Sequence, residues 1–248
     1  MSLLLLMTDL DNTLVGDRRA LANLNRVLVA LRQQGSLILV YSTGRSPALY
    51  RQLTTEQDLL APDLLVCAVG TEIYHQGQPS PDAGWAVTLS QGWNREQVVA
   101  IAADFAGLIP QPPSEQRPFK VSYHVTPQAG AKIVPQLEAR LDAAGLDTQV
   151  IYSGSIDLDI LPRQANKGMA MSFVRHYLNV PVEQTVACGD SGNDLALFVD
   201  REERGIIVGN AMPELLSWHH ANPSPKRYLA TDHCAGGILE GLQYFGFL

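Results

Sequence analysis

Five short apolar runs, at residues 3–7, 37–41, 64–69, 185–188 and 205–208, each stop at polar or turn residues. Runs this short that are apolar throughout, rather than at every second position, mark strands buried on both faces. Between the first two, Leu21, Leu24, Leu28 and Leu31 recur at three- and four-residue steps, the spacing of a helix with one apolar stripe. Such strands alternating with helices predict a doubly wound, Rossmann-like α/β core around a parallel sheet. Ligands of such a sheet belong beyond the carboxyl ends of its strands.

The stretch between the third and fourth runs breaks the pattern. Residues 77–84 are rich in Gly, Pro and Ser and read as a linker. An amphipathic stretch follows at 94–108, with Val98, Ile101, Ala102 and Phe105 on one face, and then a proline-rich polar loop at 110–118. Residues 119–125 alternate, Phe119, Val121, Tyr123 and Val125 against Lys120, Ser122 and His124, which predicts a half-buried strand with the second set on its wet face. A further helical pattern passes through Ile133, Leu137 and Leu141, with Pro135 expected in its first turn or at a kink. Strands are expected at 149–152 and 158–161. The predicted organisation is a core in two parts, 1–81 and 163–248, interrupted by a smaller α+β unit at 82–162. The 248 residues, 46% of them hydrophobic, suffice to bury both and argue against disorder.

The formal charge of −7 argues against a nucleic-acid partner, whose phosphates call for clustered Lys and Arg. It leaves room for a local pocket of opposite sign that takes a small anion. No apolar run approaches the ~20 residues that span a bilayer, and the opening run has no basic residues ahead of it, so neither a membrane span nor a secretory signal is expected. Cys67, Cys188 and Cys234 are odd in number and far apart, which predicts buried thiols in a reducing, cytoplasmic setting. The six histidines show no metal spacing, and they and the three tryptophans read as packing or surface residues.

The chemistry gathers where the runs end. The first feeds straight into Asp9 and Asp11, two apart and so on one face of extended backbone. Two carboxylates this close repel unless a proton or a cation separates them, and magnesium, which prefers oxygen ligands, is the economical cation. A polar turn with Asp11 or Asn12 capping a helix is the plainer reading of the same residues. The fourth run ends at Asp190, with Asn193 and Asp194 close behind in a glycine-containing turn. That turn alone is a loop and a helix cap, but two acidic strand ends in one parallel sheet are harder to account for separately. Thr43 and Arg45 follow the second run, and Lys167 stands at the predicted start of the helix after the insert, where a lone lysine is ordinarily a surface charge and here would neutralise a phosphate or a carboxylate.

Taken in order, Asp-x-Asp-x-Thr at 9–13, Ser-Thr-Gly-Arg at 42–45, Lys167 and Gly-Asp-x-Gly-Asn-Asp at 189–194 resemble the haloacid dehalogenase superfamily, in particular its phosphatases with a cap inserted between the second and third motifs. Within that superfamily the chain is similar to the sucrose-phosphate phosphatases. The likeness lies in DLDNTLVGD (9–17), STGRSPALY (42–50), AVGTEIY (68–74), SEQRPFKVSY (114–123), DLDILP (157–162), NKG (166–168), GDSGND (189–194) and AGGI (235–238). These segments reach across nearly the whole chain, the insert included.

The resemblance implies a magnesium-dependent phosphatase that releases sucrose and phosphate from sucrose-6-phosphate through an aspartyl-phosphate, the last step of sucrose synthesis. It implies Asp9 as nucleophile, Asp11 as general acid and base, and Thr43 and Lys167 on the phosphoryl oxygens. Magnesium would be held by Asp9, the Asp11 carbonyl and Asp190, with Asn193 and Asp194 in support. The insert becomes a cap that excludes water and reads the sugar. Its candidates are Glu115, Gln116, Arg117, Lys120, Ser122, Tyr123, Asp157 and Asp159, joined from the core by Arg45, Thr71, Glu72 and Asn166. Plant members carry a long extension after the catalytic region, whereas this chain stops at Leu248, so the expectation is a monomer, with at most transient contact with a sucrose-phosphate synthase. Competing readings are a phosphatase for another sugar phosphate such as trehalose-6-phosphate or mannosyl-glycerate phosphate, a non-catalytic sugar-phosphate-binding module, and a receiver-like aspartyl-phosphate domain.

Overall fold

The computed structural model describes residues 3–153 and 156–248. The chain runs through β1 (Leu4–Thr8), α1 (Arg18–Gln33), β2 (Leu37–Ser42), α2 (Pro47–Glu56), β3 (Leu64–Cys67) and β4 (Glu72–His75). It continues through α3 (Ala83–Leu89), α4 (Arg95–Ala102), β5 (Ile109–Pro110), β6 (Val121–His124), α5 (Pro127–Ala143), β7 (Thr148–Ser153) and β8 (Asp157–Pro162). It returns by α6 (Lys167–Tyr177), β9 (Thr185–Gly189), β10 (Arg204–Ile207), α7 (Pro213–Ala221), β11 (Arg227–Leu229) and α8 (Cys234–Tyr244).

Seven strands form one sheet in the order β11-β10-β9-β1-β2-β3-β4, parallel throughout except for β4 on β3. In β1, Leu5 and Met7 enter one apolar cluster while Leu4 and Leu6 enter the other, so both faces are covered and the run has no polar alternate. On one face α1 brings Leu21, Leu24, Leu28 and Leu31 against Ala235, Ile238 and Leu242 of α8. On the other, α6 contributes Ala170, Met171 and Val174. Asp17 starts α1 by accepting from the Arg19 and Ala20 amides, two of the donors a helix start leaves free.

A second sheet, antiparallel in the order β5-β6-β8-β7, lies between β4 and α6 in the sequence. With α4 and α5 it encloses its own apolar cluster, built on Val98, Val121, Tyr123, Leu137, Leu141, Leu158 and Ile160. Trp85 and Leu89 of α3 pack instead into the core of the main sheet, and the Trp85 indole donates to the Gly70 carbonyl.

Three local expectations change. The run at 64–69 is a strand only to Cys67, after which Ala68, Val69 and Gly70 turn through left-handed conformations (φ 51°, 60° and 93°) into the reversed strand β4. Val69 is apolar and buried, which mimics a strand position, while its backbone serves a turn. Pro135 lies deep inside α5, whose first turn is opened by Pro127 instead. Lys120 and Ser122, at the polar positions of an alternating strand, are 3% and 0% exposed, because that face is covered too: Lys120 reaches the Gly44 carbonyl of the main domain, and Ser122 lies under Glu115, Gln116 and Asp159 of the insert itself.

No helix of the described residues is long and apolar enough to cross a membrane. The three cysteines are all free and buried.

Candidate active site

The carboxyl ends of β1, β2 and β9 deliver Asp9, Thr43 and Asp190 to one edge of the main sheet, and the first residue of α6 delivers Lys167. Lys167 has no exposure, and its Nζ donates to Asp9 Oδ1 and to Asp194 Oδ1, both at 2.6 Å. Asp194 Oδ2 accepts from the Asp190 and Ser191 amides at 3.0 and 3.1 Å, so both oxygens of Asp194 are spoken for. Asp190 Oδ1 accepts from the Thr13 hydroxyl at 2.9 Å. Gly189 permits this arrangement, since a Cβ there would stand 2.5 Å from the Asp194 Cβ.

Ligand oxygens of Asp9, Asp190 and Asp194 all lie within 4.8 Å of one another. Three buried carboxylates thus lie around one ammonium, which bonds two of them, Asp9 and Asp194. Burial lifts the Asp9 carboxyl well above the usual range, Lys167 opposing this and Asp194 and Asp190 adding to it. Burial and the Asp194 charge push Asp190 up to about 7, against the pull of the Thr13 hydrogen bond. Burial disfavours the Lys167 charge, but Asp194 and Asp9 outweigh it and hold the ammonium above its ordinary pKa. Among the described residues no hydrogen bond reaches Asp9 Oδ2 or Asp190 Oδ2. Two unshared carboxylate oxygens in an over-acidic pocket are hard donors short of positive charge, the chemistry that suits a divalent oxygen-seeking cation.

Asp11 stands outside this cluster. Arg45 takes its carboxylate with two parallel hydrogen bonds, Nε to Oδ2 at 2.7 Å and Nη2 to Oδ1 at 2.8 Å. Both side chains are partly exposed and face the same cleft. Thr43 is fully buried and its Oγ1 accepts from the Arg45 amide at 3.1 Å.

The cleft encloses about 540 Å³ between the two sheets. Its floor carries Asp9, Asp11, Arg45, Asp190 and Asn193, and its roof carries Glu115, Lys120, Asp157 and Asp159. The roof is tied to the floor at several points. Lys120 Nζ donates to the Gly44 carbonyl at 3.3 Å and lies 3.5 Å from Asp159 and 3.9 Å from Glu115. Glu115 Oε2 accepts from the Ser46 amide, and Arg117 grips Glu72 with bonds of 2.7 and 3.0 Å. Ser122 Oγ donates to Asp159 Oδ1 at 2.5 Å.

Not every expected residue faces the cleft. The Thr71 hydroxyl donates to the Ala68 carbonyl and is buried, and Glu72 is occupied by Arg117 and by the Tyr74 hydroxyl. Asn166 Oδ1 accepts from the Met169 amide as the cap of α6, and Ser122 and Tyr123 lie within the small sheet. Gln116 holds the Gln111 and Ser122 carbonyls with its amide nitrogen. Several residues that line the cleft were not expected there, His124 and Gln111 among them. His124 shares a strand face with Lys120 and Ser122, a signal that was present, and pairs with Asp157 at 3.1 Å. Gln111, which donates to Asp157 Oδ1, sits in a proline-rich loop that carries no such signal. Asn210, outside the cleft lining, stands just past the fifth apolar run and donates to the Asn12 carbonyl.

Solved haloacid dehalogenase-like hydrolases share this fold. The chain belongs to the sucrose-6F-phosphate phosphohydrolase family, whose model it matches over residues 2–246. The structure of the sucrose-phosphatase of Synechocystis sp. PCC6803, in complex with sucrose and phosphate, superimposes with a TM-score of 0.92 at 44% identity, over 99% of this chain and 98% of that one. Sucrose-phosphatase 1 of Nicotiana tabacum is 41% identical over 251 residues, which take in 98% of this chain and 59% of the tobacco protein. The chain therefore spans less than two thirds of that relative's length. Mannosylfructose-phosphate phosphatase of Agrobacterium fabrum is 34% identical over 242 residues, 98% of this chain and 96% of its own.

Proposed function

We propose that the chain is a magnesium-dependent phosphatase that hydrolyses sucrose-6-phosphate to sucrose and phosphate, the closing step of sucrose synthesis. The observation that carries this reading is the buried Lys167 that bridges Asp194 to Asp9, beneath the floor of a polar, roofed cleft that Asp9 lines. A carboxylate held against an ammonium at a strand end is oriented for attack, and the ammonium opposes the burial that favours its protonated form. The Synechocystis relative, bound to sucrose and phosphate, supports the substrate.

Asp9 attacks the phosphorus in line, and the bond from phosphorus to the sugar oxygen breaks. Asp11 gives that oxygen its proton, then takes a proton from the water that hydrolyses the aspartyl-phosphate. Arg45 must release Asp11 for this, and the phosphoryl group is a natural alternative partner for its guanidinium fork. Thr43 and the third hydrogen of the Lys167 ammonium serve the phosphoryl oxygens. Asp9, Asp190 and the Asp11 carbonyl would hold magnesium, with Asp194 and Asn193 orienting them. Bound there, the ion supplies Lewis-acid stabilisation of the phosphoryl charge.

Residues 82–162 act in this reading as the cap, with α3 as its anchor on the core and the small sheet as the sugar-reading roof. Glu115, Lys120, Asp157 and Asp159 face the cleft with donors and acceptors suited to sugar hydroxyls. Arg117 with Glu72 and Lys120 with the Gly44 carbonyl hold the cap down. The chain works as a monomer in the cytoplasm, a setting supported by its free buried thiols, and meets a sucrose-phosphate synthase at most transiently.

The Agrobacterium relative favours a second reading, mannosylfructose-phosphate as substrate, since the two chains match over nearly their whole lengths. Phosphate release from sucrose-6-phosphate, mannosylfructose-phosphate and trehalose-6-phosphate, with magnesium and with EDTA, tests both. We expect the highest kcat/KM on sucrose-6-phosphate and none with EDTA. Equal rates across the panel would overturn the substrate, and no release at all would leave a binding module.

A further inference from the structure

Three segments that the mechanism does not use meet behind the Asp9–Thr13 loop. One is the loop after β10, which carries Asn210. The second is the first turn of α8, which holds the AGGI stretch. The third is the Asn12 peptide, which lies between Asp11 and Thr13 and has a left-handed residue at its start (φ 57°).

The side chain of Asn210 joins all three. Its Nδ2 donates to the Asn12 carbonyl at 2.7 Å, and its Oδ1 accepts from the Cys234 amide at 2.8 Å. Cys234 Sγ approaches the same Asn12 carbonyl at 3.4 Å. The loop around Asn210 is itself fixed at both ends. The Gly209 amide donates to the Asp232 carbonyl at 2.8 Å, and the Met212 amide donates to the Asp190 carbonyl at 2.7 Å. One short segment therefore ties down the Asp190 backbone and, through a single amide side chain, the Asn12–Thr13 peptide, one residue beyond Asp11.

Asn210 and the Cys234 thiol hold the oxygen end of that peptide, while the Thr13 amide at its other end belongs to the turn. The turn after Asp9 is closed by the Thr13, Leu14 and Val15 amides, which all return to the Leu10 carbonyl and leave the Asn12 carbonyl outside the turn. Asp11 itself is partly exposed, and Arg45, its side-chain partner, must let go during the reaction. At that moment the direction of the Asp11 carboxylate depends on its own backbone. We infer that Asn210 is a positioning residue for the reaction: its amide locks the Asn12 peptide and so aims Asp11 at the leaving oxygen. The inference rests on the phosphatase reading above.

Two substitutions separate aim from mere tethering. Asn210→Asp keeps the acceptor for the Cys234 amide, at a helix start where a negative charge is welcome, but loses the donor to the Asn12 carbonyl. Asn210→Ala loses both without adding charge. Steady-state kinetics on sucrose-6-phosphate at saturating magnesium, thermal melting, and magnesium titration by calorimetry would be compared with the unaltered protein. A misaimed acid predicts that kcat falls at least about tenfold in both variants while KM stays within about threefold. Magnesium affinity should hold in both, and the melting temperature should hold in the Asp variant. The proposal is overturned if Asn210→Asp keeps kcat within twofold. It is equally overturned if kcat falls only as far as folded protein is lost, or if only the charged variant is slow. Should the unaltered protein ignore sucrose-6-phosphate, the same comparison on para-nitrophenyl phosphate still judges Asn210, and inactivity on both removes the role altogether.

Discussion

Arg45 closes a two-bonded fork on Asp11, Nε to Oδ2 at 2.7 Å and Nη2 to Oδ1 at 2.8 Å, on the floor of the cleft. The fork raises the Arg45 pKa, chiefly through those hydrogen bonds, so the guanidinium stays charged at any working pH. A lysine in its place keeps the charge but cannot make two parallel bonds. Arg45→Lys should therefore lower kcat/KM by about tenfold or more, a cost in geometry rather than in charge. Steady-state rates decide it, and a Lys variant as fast as the parent would reduce Arg45 to a point charge.

Asp9→Asn should abolish phosphate release, with a loss of kcat on the order of 10⁴-fold or more, because an amide is no nucleophile. The fold should survive, since Lys167 keeps Asp194 as a partner and one buried carboxylate is removed. Circular dichroism and melting would show an intact protein. Near-parental turnover would overturn the assignment of Asp9.

Lys167→Met should behave differently, losing both activity and stability. Lys167 is fully buried between two carboxylates, and its removal leaves Asp9 and Asp194 unpaired. Breaking a buried pair from one side costs about 3–5 kcal/mol. Denaturant unfolding reads this directly, and a variant as stable as the parent would show that the ammonium is not what balances these acids.

The main sheet and the acidic strand ends were legible because both leave local marks. A strand buried on both faces must be apolar at every position, and a residue just past its end must be polar or small. β4 and β11 left no such mark, since Glu72 and His75 in one and Arg227 in the other sit at the sheet edges, where polar residues are tolerated. The alternating pattern at 119–125 contains strand β6, but the plainer reading of Lys120 and Ser122 as its wet face fails, since both are buried. Alternation identifies which residues share a face but not what covers that face, and here the cover is the core domain over Lys120 and the insert's own 115–116 segment over Ser122. Thr71 and Asn166 show the converse. Their residue types suit a ligand, yet their polar atoms are spent on the Ala68 carbonyl and the Met169 amide, bonds that appear only once the turn and the helix start are in place.

The acidic cluster makes a prediction about pH. Asp190 titrates at about 7 in the folded chain and near 3.8 when free of it, and Asp9 is raised in the same direction. Between those values the folded protein holds more protons than the unfolded one, so its stability falls as pH rises. Without metal, stability should drop by about 2 kcal/mol from pH 5.5 to 7.5 on account of Asp190. His219, held below its ordinary value by burial and by Arg227, works in the opposite sense across this window, so the parent must be compared with Asp190→Asn. Asp82 and Glu240 are lowered and titrate below it, where their contribution is constant. Magnesium needs the ionised carboxylate, so its apparent affinity should weaken about tenfold for each pH unit below 7, and its addition at pH 7.5 should restore the lost stability. Melting curves in EDTA and in magnesium across that range test both halves. A parent protein whose metal-free melting temperature follows that of Asp190→Asn at every pH would show that this carboxyl does not carry the proton magnesium must displace.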